Sequence, residues 1–169
     1  MQKNRISILI ADDEEKILTR LERILLKEGY TVGTASDGNT ALQRLSARAY
    51  DIVLTDINMP DRNGFEVMEY IRNEGIDTLP LVLTGYASVE SAIRAMKLGA
   101  YDFIQKPVAA ETLKLIIYRA AERGVLKREN ERTMLELRKL SELKDEFLTV
   151  VSHDLRSPLS SIGGYANYL

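Results

Sequence analysis

Through Pro107 the apolar and polar positions alternate between two periods. Short, β-branched runs occupy Ile6–Ala11, Thr31–Ala35, Ile52–Thr55, Leu79–Thr84 and Asp102–Ile104. Between them, apolar residues return at helical spacing. One set is Ile17, Leu21, Ile24, Leu25 and Tyr30, and the next is Ala41, Leu42 and Leu45. Phe65, Val67, Met68 and Ile71 form a third, and Val89, Ala92, Ile93, Met96 and Leu98 a fourth. Strand-like and helix-like stretches in strict alternation predict βαβ units around one parallel sheet, an α/β fold. The first, third and fourth runs are nearly all apolar, as in strands covered on both faces. Gly29, Gly38, Gly64, Gly75, Gly85 and Gly99 fall where one period gives way to the next.

After Pro107 the texture changes. From Ala109 to Leu155 there is no proline and only one glycine, Gly124, in a stretch rich in Glu, Lys, Arg, Leu and Ala. These residues favour helix. Lys127 with Glu131, and Arg138 with Glu142, stand at i,i+4 spacing. A helix of ~45 residues is ~70 Å long, more than a small domain can cover. Apolar residues recur at 3-4 spacing through Leu126, Leu137, Leu140, Phe147 and Val151, with a cleaner line through Leu140, Leu143, Phe147 and Val150. The pattern predicts a coiled coil with a register shift near Leu140, and so a parallel homodimer.

Composition narrows the chemistry. The 169 residues carry 23 Lys and Arg against 25 Asp and Glu, so no large basic surface for nucleic acid is expected. The absence of cysteine excludes disulfides, thiolate metal sites and cysteine nucleophiles. A single histidine, His153, excludes a His-cluster metal site. No apolar run approaches the ~20 residues of a membrane span and no signal-peptide pattern opens the chain, which points to the cytoplasm.

In an open parallel sheet, ligands bind beyond the carboxyl ends of the strands. Asp12 and Asp13 follow the first run, Asp56 the third and Lys106 the fifth, while Thr84 ends the fourth. If the first and third strands are neighbours, three carboxylates converge, and a hard divalent cation is their natural neutraliser. Lys106 places a positive charge opposite Asp56, Thr84 offers a hydroxyl, and Gly85 leaves room for a bulky anion. The chemistry implied is phosphoryl transfer to a carboxylate, with Asp56 as nucleophile.

With these residues in place, the chain resembles the receiver domain of two-component response regulators over residues 5–107. The resemblance rests on Ile8-Leu9-Ile10-Ala11-Asp12-Asp13-Glu14, on Asp51-Ile52-Val53-Leu54-Thr55-Asp56-Ile57-Asn58-Met59-Pro60 with Asp61, Asn63 and Gly64, on Thr84-Gly85, and on Gly99 to Pro107. It implies a (βα)5 fold with strand order 2-1-3-4-5 and Asp56 as phosphoacceptor. It implies Mg²⁺ held by Asp13, Asp56 and the Asn58 carbonyl, with Asp12 acting through water. Thr84 and Phe103 match the family's switch pair, and Lys106–Pro107 its cis peptide bond. A haloacid-dehalogenase-like phosphatase also forms an aspartyl phosphate, but it needs an acid/base Asp where this chain has Asn58.

His153 lies roughly 150° from the centre of the tail's apolar arc on a helical wheel, so an exposed imidazole is expected. Imidazole keeps a neutral, nucleophilic fraction at neutral pH. Asp154 can hold a ring N–H, Ser157 sits one turn along, and Pro158 is expected to bend the helix. Ser152-His153-Asp154-Leu155-Arg156-Ser157-Pro158-Leu159 resembles the H-box of the dimerisation and histidine-phosphotransfer domain of sensor histidine kinases. That resemblance implies His153 as a phosphoacceptor activated by Asp154, with Ser157 at the phosphatase position.

The expected organisation is a receiver at 1–122, a coiled-coil linker at 123–145 and the first helix of a histidine kinase dimerisation domain at 146–169. The expected function is phosphorelay signalling. An upstream histidine kinase or phosphotransfer protein phosphorylates Asp56, and the linker passes that state to a kinase core whose phosphoacceptor is His153. The parent would be a sensor histidine kinase. ATP would bind only there, so this stretch should not be an active kinase alone. The alternative is a dimeric receiver or interaction module whose H-box helix is inert. A DNA-binding regulator is disfavoured, because no recognition-helix unit follows Pro107.

Overall fold

A computed structural model of the chain describes residues 6–85 and 88–166, with side chains through Val151. The backbone divides into two compact units, Met1–Val125 and Leu126–Leu169.

In the first unit, β1 (Ser7–Ala11), β2 (Thr31–Ala35), β3 (Ile52–Thr55), β4 (Leu79–Thr84) and β5 (Asp102–Gln105) form one sheet. The order is 2-1-3-4-5, and every neighbouring pair is parallel. The helices are α1 (Glu15–Lys27), α2 (Gly38–Ala47), α3 (Gly64–Asn73), α4 (Val89–Lys97) and α5 (Ala110–Ala166). This is the parallel α/β sheet that the alternating pattern predicts, in the (βα)5 form and strand order that the resemblance implies.

Side chains alternate across the sheet with period two and feed two faces. Ile8, Ile10, Ile52, Leu54, Leu81, Leu83 and Ile104 pack with Leu21 and Leu25 of α1 and with Leu113, Ile117 and Ala120 of α5. On the other face, Leu9, Ala11 and Val53 meet Ala41 and Leu45 of α2 and Val67 and Ile71 of α3. Val82 meets Phe65 and Met68 of α3 and Ala95 of α4. Burying such side chains from water is the main driving force for closing the layers.

α4 turns its apolar stripe away from the sheet. The helix falls where the spacing predicts it, while Val89, Ile93 and Met96 are at least half exposed and within the helix only Ala95 is buried. The small Ala95 side chain lets the helix approach Val82 and Phe65 with its other side, so the stripe faces outward.

Local capping sets where the helices begin. The Asp37 carboxylate accepts from the Thr40 N–H at 2.7 Å and from the Thr40 hydroxyl at 2.7 Å. Asn63 and Ser88 each form a capping box with Glu66 and Ser91. The Thr40 bonds favour the ionised form, so the Asp37 pKa lies below its ordinary 3.8. A carboxylate depressed in the folded state adds stability above its unfolded pKa and loses it as pH falls through the folded one. Replacing Asp37 with Ala should therefore cost about 0.5–2 kcal/mol at neutral pH. The gap between variant and parent in urea titrations should close in strong acid; a gap independent of pH would contradict the cap.

The long helix and the H-box stretch form one element. α5 spans 57 residues, and both Gly124 and Pro158 lie within it. In the second unit the Lys127–Glu131 pair forms at 3.8 Å, and Arg132 donates to Glu136 at 3.1 Å. Leu126, Leu137, Leu140, Leu143, Phe147 and Val150 are exposed along this single helix. The side chains of His153, Asp154 and Ser157 lie outside the described residues, as does any bend that Pro158 imposes. Among the described residues, no helix is long and apolar enough to cross a membrane.

Candidate phosphoacceptor site

Three backbone hydrogen bonds extend the strand ladders past their ends and fix the site. The Asp12 N–H donates to the Ala35 carbonyl at 3.0 Å, the Asp56 N–H to Ala11 at 2.8 Å, and the Lys106 N–H to Thr84 at 2.8 Å. Each functional residue is thus held by the strand beside its own. Close packing behind Asp56 also demands glycine. A Cβ on Gly64 would lie 2.1 Å from the Asp56 carbonyl oxygen, and the Gly64 N–H is committed to Ile57 at 2.9 Å.

Asp12, Asp13 and Asp56 converge, with one carboxylate oxygen from each lying within 4.8 Å of the others. Asp12 and Asp56 are buried and Asp13 is exposed. Asp56 Oδ1 accepts from the Asn58 N–H at 3.3 Å, and Lys106 Nζ donates to Asp56 Oδ2 at 2.7 Å. Asp12 Oδ1 accepts from the Glu14 N–H at 2.9 Å. Lys106 Nζ also lies 2.7 Å from Asp12 Oδ2, but this is a charge contact without hydrogen-bond alignment, because that buried oxygen accepts no hydrogen bond. The third partner of Nζ is Glu14 Oε1, at 3.2 Å.

Burial pushes the Asp12 carboxyl above the ordinary carboxylate value, and Lys106 with the Glu14 N–H offsets this only in part. Burial would lower Lys106, but its close contacts with Asp12 and Asp56 and their charges reverse that effect, so its pKa stands above that of ordinary lysine. The amine is therefore a fixed cation facing Asp56.

Thr84 is wholly buried at the end of β4, opposite Gln105 of β5. Two residues earlier on the same strands, Phe103 pairs with Val82 and packs half-buried against the cluster that holds Ala95 of α4. The Lys106–Pro107 peptide is cis. A cavity of about 320 Å³ opens beside Lys106, lined by Glu14, Arg20, Leu83, Gly85 and Val108 among others.

Residues 8–118 match the response regulator receiver domain. The chain belongs to the response regulator receiver family. Among curated relatives it is 34% identical over 122 residues to the regulatory protein AtoC of Escherichia coli, a match covering 72% of this chain and 26% of AtoC. It is 31% identical over 155 residues to the transcriptional regulatory protein DltR of Streptococcus agalactiae, covering 92% of this chain and 65% of DltR. The chain thus spans between about a quarter and two thirds of these relatives' lengths. The receiver domain protein of Methanospirillum hungatei, in its crystal structure, superposes with a TM-score of 0.70 at 30% identity, covering 72% of this chain and 98% of that one.

The donor set suits a hard divalent cation. All the converging groups are carboxylate oxygens, and the buried Asp12 oxygen lacks an aligned donor. Of the expected ligands, Asp12, Asp13 and Asp56 come together, and Asn58 meets Asp56 through its N–H. The sequence pattern assigns no role to Glu14. Its only mark there is an acidic side chain directly after Asp12-Asp13.

Proposed function

We propose that this receiver accepts a phosphoryl group on Asp56, in a Mg²⁺-dependent reaction, and passes that state through α5 to a histidine kinase core whose own phosphoacceptor is His153. The carrying observation is the contact between Lys106 and Asp56 within the carboxylate cluster. It places a cation where the transferred oxygens gain charge. Asp12, Asp13 and Asp56, with the Asn58 carbonyl, would hold Mg²⁺, which supplies charge neutralisation. Thr84 and Phe103 form the switch, and Phe103 is well placed for it because it packs against the cluster that anchors α4. The phosphodonor is an upstream histidine kinase or phosphotransfer protein.

The reading divides the chain into a receiver at 1–122, a linker at 123–145 and an H-box helix at 146–169. The exposed line through Leu137, Leu140, Leu143 and Phe147 supports pairing of two linkers as a parallel coiled coil. Light scattering at tens of micromolar should show a dimer for the 169 residues and a monomer for a chain ending at Val125; a monomeric full chain would refute the pairing.

The kinase branch is tested at His153. An imidazole takes a phosphoryl group only when a domain holds ATP in line with it. Given ATP alone, this chain should leave His153 unlabelled. Joined to an ATP-binding kinase domain, it should gain an acid-labile, base-stable phosphoryl group that His153→Gln abolishes and Asp154→Asn slows. If the joined protein folds, binds ATP and never labels His153, the kinase branch fails.

One observation favours a second reading. The similarity to DltR runs over 155 residues, well beyond the receiver, and DltR is a transcriptional regulatory protein. On this reading α5 serves a regulator of transcription and the H-box is inert.

A further inference from the structure

Lys106 Nζ has three carboxylate partners, and they are not equivalent. Asp12 and Asp56 lie at 2.7 Å, are buried, and belong to the cluster that would hold a divalent cation. Glu14 lies at 3.2 Å, is largely exposed, and stands outside that cluster. Once a cation draws on Asp12 and Asp56, and an anion sits on Asp56, Glu14 is the partner left to compete for the amine.

A second observation concerns the helix that Glu14 begins. Asp37, Asn63 and Ser88, the N-cap residues of α2, α3 and α4, each turn their side chains onto their own helix. Glu14 is the N-cap residue of α1 and makes no such bond. Its backbone carbonyl accepts from the Ile17 and Leu18 N–H groups, while its carboxylate reaches across the site to Lys106. A carboxylate at a helix N-terminus is normally drawn to that terminus, so the cross-site contact prevails here over a local alternative.

We propose that Glu14 is a positioning residue that draws on the Lys106 amine from the rim of the pocket, competes with the phosphoryl group for it, and so sets the receiver's affinity for that group. This rests on the reading of Asp56 as the phosphoacceptor. The amine must leave or share Glu14 to meet an incoming phosphoryl oxygen, and the Glu14 charge opposes that anion directly. Both effects weaken anion binding.

The test uses the full chain at saturating Mg²⁺, with beryllium fluoride standing in for the phosphoryl group and its affinity read by calorimetry. Glu14→Gln should bind it roughly three- to fivefold more tightly than the parent, the scale of one partly exposed charge contact. Glu15→Gln removes the same charge one residue further on, from a side chain that is not among the described partners of Lys106. It should leave the affinity within about twofold of the parent, as expected for a surface change. An unchanged or weaker affinity in Glu14→Gln overturns the proposal, and so does an equal gain in Glu15→Gln, which would make the effect one of net charge. If the parent chain binds no beryllium fluoride and takes no phosphoryl label on Asp56, the site reading fails and this inference with it. A parent that labels normally beside an unaltered Glu14→Gln isolates the failure to Glu14.

Discussion

Asp56→Asn should lose phosphoryl labelling by phosphoramidate to background, a drop on the order of a hundredfold or more, as for other removed nucleophiles. In the proposed reaction an Asp56 oxygen forms the bond to phosphorus while the phosphorus–nitrogen bond breaks, and the nitrogen, already protonated as –NH3⁺ in the donor, keeps the electron pair and leaves as ammonia. Lys106 Nζ, 2.7 Å from Asp56 Oδ2, meets the negative charge of the transferred oxygens. The asparagine amide is a poor nucleophile, so the reaction has no starting point. Folding should survive, because Asn keeps the volume of Asp and relieves repulsion with Asp12 and Asp13. An unchanged melting temperature beside lost label therefore separates chemistry from stability. Parent labelling should also require Mg²⁺, since three converged carboxylates repel an anionic donor until a cation neutralises them. Labelling of Asp56→Asn at the parent's level, or of the parent without any divalent cation, would contradict the assignment.

How far the site was readable depends on the distance over which each feature is encoded. Asp12, Asp13, Asp56, Thr84 and Lys106 each sit at or just past the end of an apolar run, so parallel strands bring them to one edge whatever the helices do. Glu14 was not readable in this way. Its partner is 92 residues away, and the contact depends on how α1 enters the sheet edge. The orientation of the stripe on α4 was not readable for a related reason. Periodicity reveals that Val89, Ile93 and Met96 share a side, but not whether that side or Ala95 meets the sheet. Small Ala95 wins because close approach to Val82 and Phe65 suits a methyl group. In α5 composition was enough to read the helix. Helix continues past Gly124 and through Pro158, in a stretch where Glu, Lys, Arg, Leu and Ala outnumber single unfavourable residues.

Two glycines at the site should respond oppositely to a methyl group, and this contrast carries the second large effect. Gly64 opens α3 directly behind Asp56, the proposed phosphoacceptor. An added Cβ would lie 2.1 Å from the Asp56 carbonyl oxygen, 2.9 Å from its carbonyl carbon and 3.1 Å from the Ile57 Cα. All three are backbone atoms, and none can rotate away as a side-chain tip would. The Asp56 N–H is tied to Ala11 and the Gly64 N–H to Ile57, so relief requires moving the end of β3 or the start of α3. Gly64→Ala should therefore cost about 3 kcal/mol, the upper part of the range for overpacking. A loss of that size lowers the melting temperature by roughly 10 °C in a unit of this length. Because the strain falls on Asp56 itself, the folded fraction should also label more slowly. Gly85, beside Thr84, has nothing within 4 Å of its own added Cβ. Gly85→Ala should melt within about 2 °C of the parent, as expected where a methyl meets open space. Thermal melts of the two variants side by side decide the matter. If Gly64→Ala melts with the parent, the start of α3 does not press on Asp56.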